Sequence, residues 1–248
     1  MAKRIQSPSS INMYKRCPRK YYLHYILKKP IKPNIHLYRG SIVHRCINKF
    51  EGLNIPYSNS IDLQHLKDKL LTIFDDGWKK NTENIRRLGL RKEEVSSFYN
   101  ESILMLNNWL QHYLEEYTRG PPPKNKTELK LFSSNEYSVM GIVDVIKENG
   151  NGIEIIDYKT SKNAVFTGEY KLQLAIYALL YEENFNKLPD KVGIHFLKFK
   201  DGIRRLDVDE NLINLAKRES KLIHLNTVSD NPADYPCTCG GWCARDFD

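Results

Sequence analysis

A chain of 248 residues is long enough to bury a core of its own, and 41% hydrophobic against 27% charged residues excludes the disordered and fibrous classes. No run of about 18 apolar residues occurs, which excludes a helical membrane span, and the basic opening MAKRIQSPSS lacks the apolar stretch of a secretion signal, so a cytoplasmic or nucleoid-associated location is expected. The formal net charge of +8, with a sequence pI near 9.1, favours a polyanionic partner, because each phosphate neutralised by Lys or Arg releases counterions.

Pro8-Ser9-Ser10 is a helix start, and apolar and aromatic residues recur at helical spacing to Leu27, so one helix is expected over 8–27. Pro30 and Pro33 break the chain. A second helix is expected from near Gly40, with Val43, His44, Ile47 and Phe50 on one side. Amphipathic patterns predict helices from Asp62 to about Asn81 and from Lys92 to Tyr117, with a basic connector from Arg86 to Lys92. Gly120-Pro121-Pro122-Pro123 ends this helical half, since proline cannot continue a helix.

The remainder changes character. Residues 126–133, 137–147 and 153–160 read as strands, and Glu148-Asn149-Gly150-Asn151-Gly152 makes a hairpin of the last two. A helix over 168–184, strands over 191–199 and 203–208 about an Asp201-Gly202 turn, a helix over 209–226 and a Cys-rich tail complete the chain. The predicted class is α/β in a single domain, 1–248: a mixed-sheet core at about 126–208 flanked by helices, a helical insertion at about 60–120, and a last helix with the tail at 209–248.

The hairpin carries the chemistry. Side chains alternate between the faces of a strand, so Asp157 and Lys159 share one side, with Asp144 on the partner strand. Their neighbours Ile142, Val143, Val145, Ile146, Ile155 and Ile156 are apolar, and a carboxylate buried there costs several kcal/mol unless it is paired. Lys159 offsets one carboxylate; a divalent cation offsets two. Phosphodiester hydrolysis needs such a hard cation on oxygen ligands, with a nearby ammonium group to stabilise developing charge. A structural ion pair at a strand end is the alternative for these three residues.

The chain resembles the RecB-like branch of the PD-(D/E)xK nucleases in five spaced motifs. SPSSINMYKRCPRKYYLHYI is similar to its N-terminal helix, GSIVHRCINKF to its G-x-x-x-H motif, MGIVDVI to its G-x-x-D motif, IIDYKTSK to its D-x-K motif and QLAIY to its Q-x-x-x-Y motif. The resemblance implies a restriction-endonuclease-like fold. It implies Mg²⁺ or Mn²⁺ held by His44, Asp144 and Asp157, and Lys159 as catalytic lysine. Glu128 stands where the branch often has an acidic residue before the hairpin, although an exposed pair with Lys130 fits it almost as well. Gln173 and Tyr177, four apart on one helix face, either contact DNA or brace the site.

Five cysteines occur, and in a reducing compartment a cluster of them reads as metal-binding before disulfide. Cys237, Cys239 and Cys243 sit in a tail with little core of its own. AddB-like nucleases and CRISPR-associated RecB-like exonucleases join three such cysteines to one N-terminal cysteine around a [4Fe-4S] cluster. Likeness to them implies Cys17 as the fourth ligand. The single residue between Cys237 and Cys239 departs from their usual two, which leaves a Cys₄ Zn²⁺ site, or no metal at all, as the alternatives. Cys46 reads as a small buried hydrophobe.

Lys15, Arg16, Arg19 and Lys20 are interleaved with Tyr14, Tyr21 and Tyr22, and Arg86, Arg87, Arg91 and Lys92 form a second basic patch. The basic side chains suit DNA phosphates, with Arg16, Arg19 and Lys20 as candidate substrate contacts, while the tyrosines read as a core-facing stripe. The expected activity is a metal-dependent deoxyribonuclease, an exonuclease on single-stranded DNA ends. The resemblance implies a role in repair, recombination, replication or CRISPR adaptation, with helicase, recombination or CRISPR partner proteins. The rival is a catalytically decayed DNA-binding subunit stabilised by its Cys₄ metal.

Overall fold

The computed structural model describes residues 4–53, 55, 62–118, 124–132, 136–150 and 152–247. Helix α1 spans Pro8–Arg16, capped by a reciprocal pair in which Ser10 N–H donates to Ser7 Oγ and Ser7 N–H to Ser10 Oγ. The chain then turns extended at Cys17, with φ −160° and ψ 108°, before α2 (Pro18–Tyr21) and a π-helical turn at Tyr22–Ile26. The single helix expected over 8–27 is therefore two helices with a break. The cause is local: the Pro18 ring disfavours helical backbone at the residue before it.

Helix α3 spans Ile35–Glu51, five residues earlier than expected at its start, because Asn34 Oδ1 accepts the Leu37 N–H as a side-chain cap. Helix α4 (Leu63–Arg86) also outruns its expected end near Asn81, so Arg86 closes a helix instead of opening a connector. Helix α5 follows at Lys92–Thr118. The Gly120–Pro123 breaker and residue 151 of the hairpin turn lie outside the described residues. No helix among the described residues is long and apolar enough to cross a membrane.

Strands β1 (Lys124–Phe132), β2 (Met140–Asn149), β3 (Gly152–Lys159), β4 (Lys191–Phe196) and β5 (Ile203–Asp207) form one sheet in the order β1-β2-β3-β4-β5. All pairs are antiparallel except β3 with β4, which run parallel because α6 (Gly168–Phe185) crosses over between them. β2 starts three residues later than expected: Val139 is taken by a bridge to Gln6. β4 stops at Phe196, three residues short, because Phe199 N–H turns back onto Phe196 O.

The two faces of the sheet explain why the strands read as apolar runs and not as alternating ones. One face, with Val143, Ile155 and Ile194, packs against α6, α7 (Glu210–Asn226) and the N-terminal helices, including Ile11 and Tyr21. The other, with Val145, Ile156 and Tyr158, packs under α3, α4 and α5 through Val43, Phe74 and Trp109.

Candidate active site and cysteine centre

Asp157 on β3 is 4% exposed. Its Oδ1 accepts the Gln173 amide at 2.8 Å, and its Oδ2 has the Lys159 ammonium at 2.6 Å but accepts no hydrogen bond of good geometry. Burial pushes its pKa up, with Lys159 opposing and Asp144 adding to the rise. Asp144 on β2 accepts Tyr158 N–H at 2.8 Å and the His44 ring at 3.0 Å. His44 reaches it from α3, across the edge of the helical layer. Burial disfavours the charged imidazole, yet the Asp144 carboxylate outweighs it and holds the His44 pKa above its ordinary value.

Burial likewise opposes the charge on Lys159, and the Asp157 carboxylate overcomes it, so the lysine stays protonated. Lys159 Nζ also donates to Gln173 Oε1 at 3.0 Å. The same amide of Gln173 donates to Tyr177 Oη at 2.9 Å, and Tyr177 donates to Ile142 O at 2.9 Å. Of the two roles open to this pair, the hydrogen bonds are those of a brace. Tyr177 is 5% exposed with its hydroxyl spent inside the protein, which leaves it nothing to offer DNA. Gly141 explains itself here: a Cβ on it would lie 2.8 Å from the Tyr177 ring and 3.0 Å from Leu180.

A hard divalent ion suits this donor set. His44, Asp144 and Asp157 offer one nitrogen and two carboxylates, carboxylate oxygens keep spare lone pairs beyond the bonds described, and buried Asp157 Oδ2 is engaged only by the Lys159 ammonium. The three are not drawn into a tight cage. Among the described residues, only the four cysteines bring all their ligand atoms within 4.8 Å of one another. Glu128 lies on β1 between Thr127 and Leu129, whose partners Val145 and Val143 flank Asp144; its side chain lies outside the described residues.

Sequence reasoning missed Arg39. It is 2% exposed, donates to Thr160 O at 2.7 Å just past Lys159, and pairs with Glu101 of α5 at 2.6 Å. It therefore ties the end of the D-x-K strand to the helical layer. The only signal was an arginine one turn ahead of Val43 on the apolar face of a helix.

Cys17, at the break between α1 and α2, meets the tail cysteines. Cys237 Sγ lies 3.6 Å from Cys239 Sγ and 3.5 Å from Cys243 Sγ. Gly241 N–H donates to Cys237 Sγ at 3.3 Å and holds that thiol below its ordinary pKa, while Cys243 N–H donates to Cys239 Sγ at 3.1 Å; burial and the neighbouring sulfurs nevertheless push Cys239 up, and Cys243 up to about 12. Burial raises the Cys17 thiol, but hydrogen bonds from the Thr238 and Lys20 backbone bring it down to about 6. Cys46 stands apart, buried, with its thiol donating to Leu70 O.

The basic side chains are less free than the sequence suggests. Arg16 pairs with Glu169 at 2.7 Å and Lys20 with Asp246, while Arg19 lies 6.0 Å from the Tyr22 ring centre. Arg86 and Arg87 both hold Glu83, and Arg91 holds Glu94. Tyr14, Tyr21 and Tyr22 pack with Tyr235 as the expected core stripe.

Comparison with known proteins supplies the family. Residues 6–244 match the model of the PD-(D/E)XK nuclease superfamily. A CRISPR-associated exonuclease Cas4 of Francisella tularensis subsp. novicida (strain U112) is 33% identical over 109 residues, 42% of this chain and 54% of that protein. The chain thus spans about half the length of that relative. The crystal structure of a candidate exonuclease from Eubacterium rectale superposes with a TM-score of 0.55 at 14% identity, covering 98% of this chain and 88% of that one, which is a likeness of fold. The chain belongs to the PD-(D/E)XK nuclease superfamily.

Proposed function

We propose that this chain is a divalent-metal-dependent deoxyribonuclease of the RecB-like kind, acting as an exonuclease on single-stranded DNA ends in the cytoplasm or on the nucleoid. The observation that carries this reading is the convergence of Asp144, Asp157, Lys159 and His44 at one end of a hairpin. His44, Asp144 and Asp157 would hold Mg²⁺ or Mn²⁺. When bound, the ion would polarise the scissile phosphate and lower the pKa of the attacking water. Lys159 places a protonated ammonium where negative charge develops on the phosphate, and Gln173 fixes that ammonium against Asp157. Glu128 would complete the acidic set from β1. Arg16, Arg19 and Lys20 would guide the DNA backbone, the first and third by exchanging a carboxylate partner for phosphate.

Two occupants compete for the four cysteines. Resemblance favours a [4Fe-4S] cluster. The sulfur spacing favours Zn²⁺: a tetrahedron with Zn–S near 2.3 Å has edges of about 3.8 Å, against the 3.5 and 3.6 Å found. A cubane of four irons would need the thiolates further apart. Either metal would tie the tail to the first helices. Metal analysis with an absorption spectrum decides between them: iron, sulfide and a brown colour for the cluster, or colourless protein with one zinc.

The test of activity is digestion of single-stranded DNA with Mg²⁺, Mn²⁺ or EDTA, comparing the wild type with Asp157→Asn. Metal-dependent cutting lost in the variant is expected. Binding of DNA without any cutting would favour the decayed subunit instead, and cutting of RNA alone would overturn the choice of substrate.

A further inference from the structure

A cleft of about 370 Å³ is bordered by Lys159 and Gln173 of the candidate active site and by Cys239, Trp242 and Cys243 of the tail. Its wall carries three cations, Arg16, Lys20 and Lys159, against two carboxylates, Glu169 and Asp246. Trp242 is 63% exposed, whereas the other two tryptophans, Trp78 and Trp109, are 9% and 3% exposed. A mostly exposed indole on the wall of a cleft whose cations are held by exchangeable carboxylate partners marks a ligand site more than a core residue.

The backbone fixes the place of this ring. Gly240 and Gly241 have φ of 63° and 85°, which L side chains rarely adopt, and Trp242 N–H donates to Cys239 O at 3.3 Å. The Arg245 guanidinium lies 3.9 Å from the ring centre and covers one face, leaving the other for a second planar group. Tyr170 lines the same cleft, with Lys159 Nζ 5.3 Å from its ring centre, so aromatic surface continues toward the catalytic lysine.

We propose that Trp242 is a stacking platform for an unpaired nucleobase of single-stranded DNA, held a short way along the strand from the phosphate to be cut. The inference rests on the nuclease reading above. The backbone of that strand lies between Arg16, Lys20 and Lys159. Any base satisfies the platform, because every base presents a π-face. A duplex hides its base faces in the stack, so the platform selects unpaired ends without reading sequence.

The test uses the full metal-loaded chain, with Trp242→Ala and Trp242→Phe. With a single-stranded oligonucleotide, Trp242→Ala is expected to raise KM about 5- to 150-fold, the range that base–aromatic stacking supplies, and Trp242→Phe to recover most of it. A second measurement separates stacking from damage to the tail. An abasic site is moved one nucleotide at a time along the oligonucleotide; at one position it raises KM for the wild type and not for Trp242→Ala. With Ca²⁺ in place of the catalytic ion and the cysteine metal left bound, the oligonucleotide also quenches indole fluorescence, and the quench is lost in Trp242→Ala because the remaining tryptophans are buried. If no abasic position costs the wild type more than the variant, or the quench persists in the variant, the platform is wrong while the nuclease reading stands. If the wild type digests no DNA with any ion, the nuclease reading fails, and the quench still decides the platform.

Discussion

Replacing Gln173 by Met keeps the length of the side chain and removes its polar head. Two charge-assisted hydrogen bonds disappear, to Asp157 at 2.8 Å and from Lys159 at 3.0 Å. Each is worth about 1.5–3 kcal/mol net. Lys159 keeps its direct contact with Asp157 at 2.6 Å, so the lower end applies to both; the neutral bond to Tyr177 Oη at 2.9 Å also goes, at about 1 kcal/mol, and the loss is about 4 kcal/mol. For a chain of this size that lowers Tm by about 8–16 °C. On this account Gln173 holds the proposed catalytic pair, Asp157 and Lys159, and not the DNA. Freed of its brace, Lys159 drifts by a fraction of its own length, so kcat falls about 10- to 100-fold while KM stays within about twofold. Steady-state digestion of a single-stranded oligonucleotide with Mn²⁺, with a thermal melt alongside, measures both. A KM rise at unchanged kcat would mean that Gln173 contacts substrate, and the bracing argument would be refuted.

Further outcomes follow from the packing. Gly141→Ala pushes a methyl group into the Tyr177 ring and should cost about 1–3 kcal/mol in a urea melt; an unchanged midpoint would show that the ring moves freely. Glu101→Gln leaves the buried Arg39 charge without its carboxylate and should cost about 2–4 kcal/mol, discounted from the fully buried case because Glu101 is partly exposed; stability equal to the wild type would remove Arg39 from the account. His195 is 1% exposed on β4, facing His112, Glu116, Lys147 and Arg205, and burial, then the His112 and Lys147 charges, pull its pKa to about 3. The unfolded chain takes this proton near pH 6.5 and the folded one does not, so stability is full above about 6.5 and falls by about 1.4 kcal/mol per pH unit below it. His195→Phe should flatten that slope between pH 7 and 5, and a slope as steep as the wild type would place the acid sensitivity elsewhere.

The parts of the molecule that declare themselves in sequence are those governed by local rules. Asp157 and Lys159 had to share a side because strands alternate, and their head groups are 2.6 Å apart. Gln173 and Tyr177 had to share a helix face, and they are hydrogen-bonded to each other. The break at Cys17 was missed: Pro18 signals it, but the apolar spacing on both sides reads as one continuous helix. Arg39, the Lys147–Glu116 pair at 2.7 Å and His195 were not legible, because each depends on partners more than 30 residues away that bury a charge no local rule would bury. The engagement of Arg16 and Lys20 with Glu169 and Asp246 was hidden for the same reason. Gly141 carries no visible reason until the Tyr177 ring is seen against it.

The most direct measurement is Mn²⁺ binding itself, followed by the loss of the free-ion paramagnetic resonance signal as protein is added. Wild-type protein is expected to take up Mn²⁺ outside the cysteine centre, with affinity reduced at least tenfold in Asp144→Asn and in Asp157→Asn. Equal uptake by the wild type and both variants would contradict the claim that these two carboxylates, side by side on one hairpin, hold the ion.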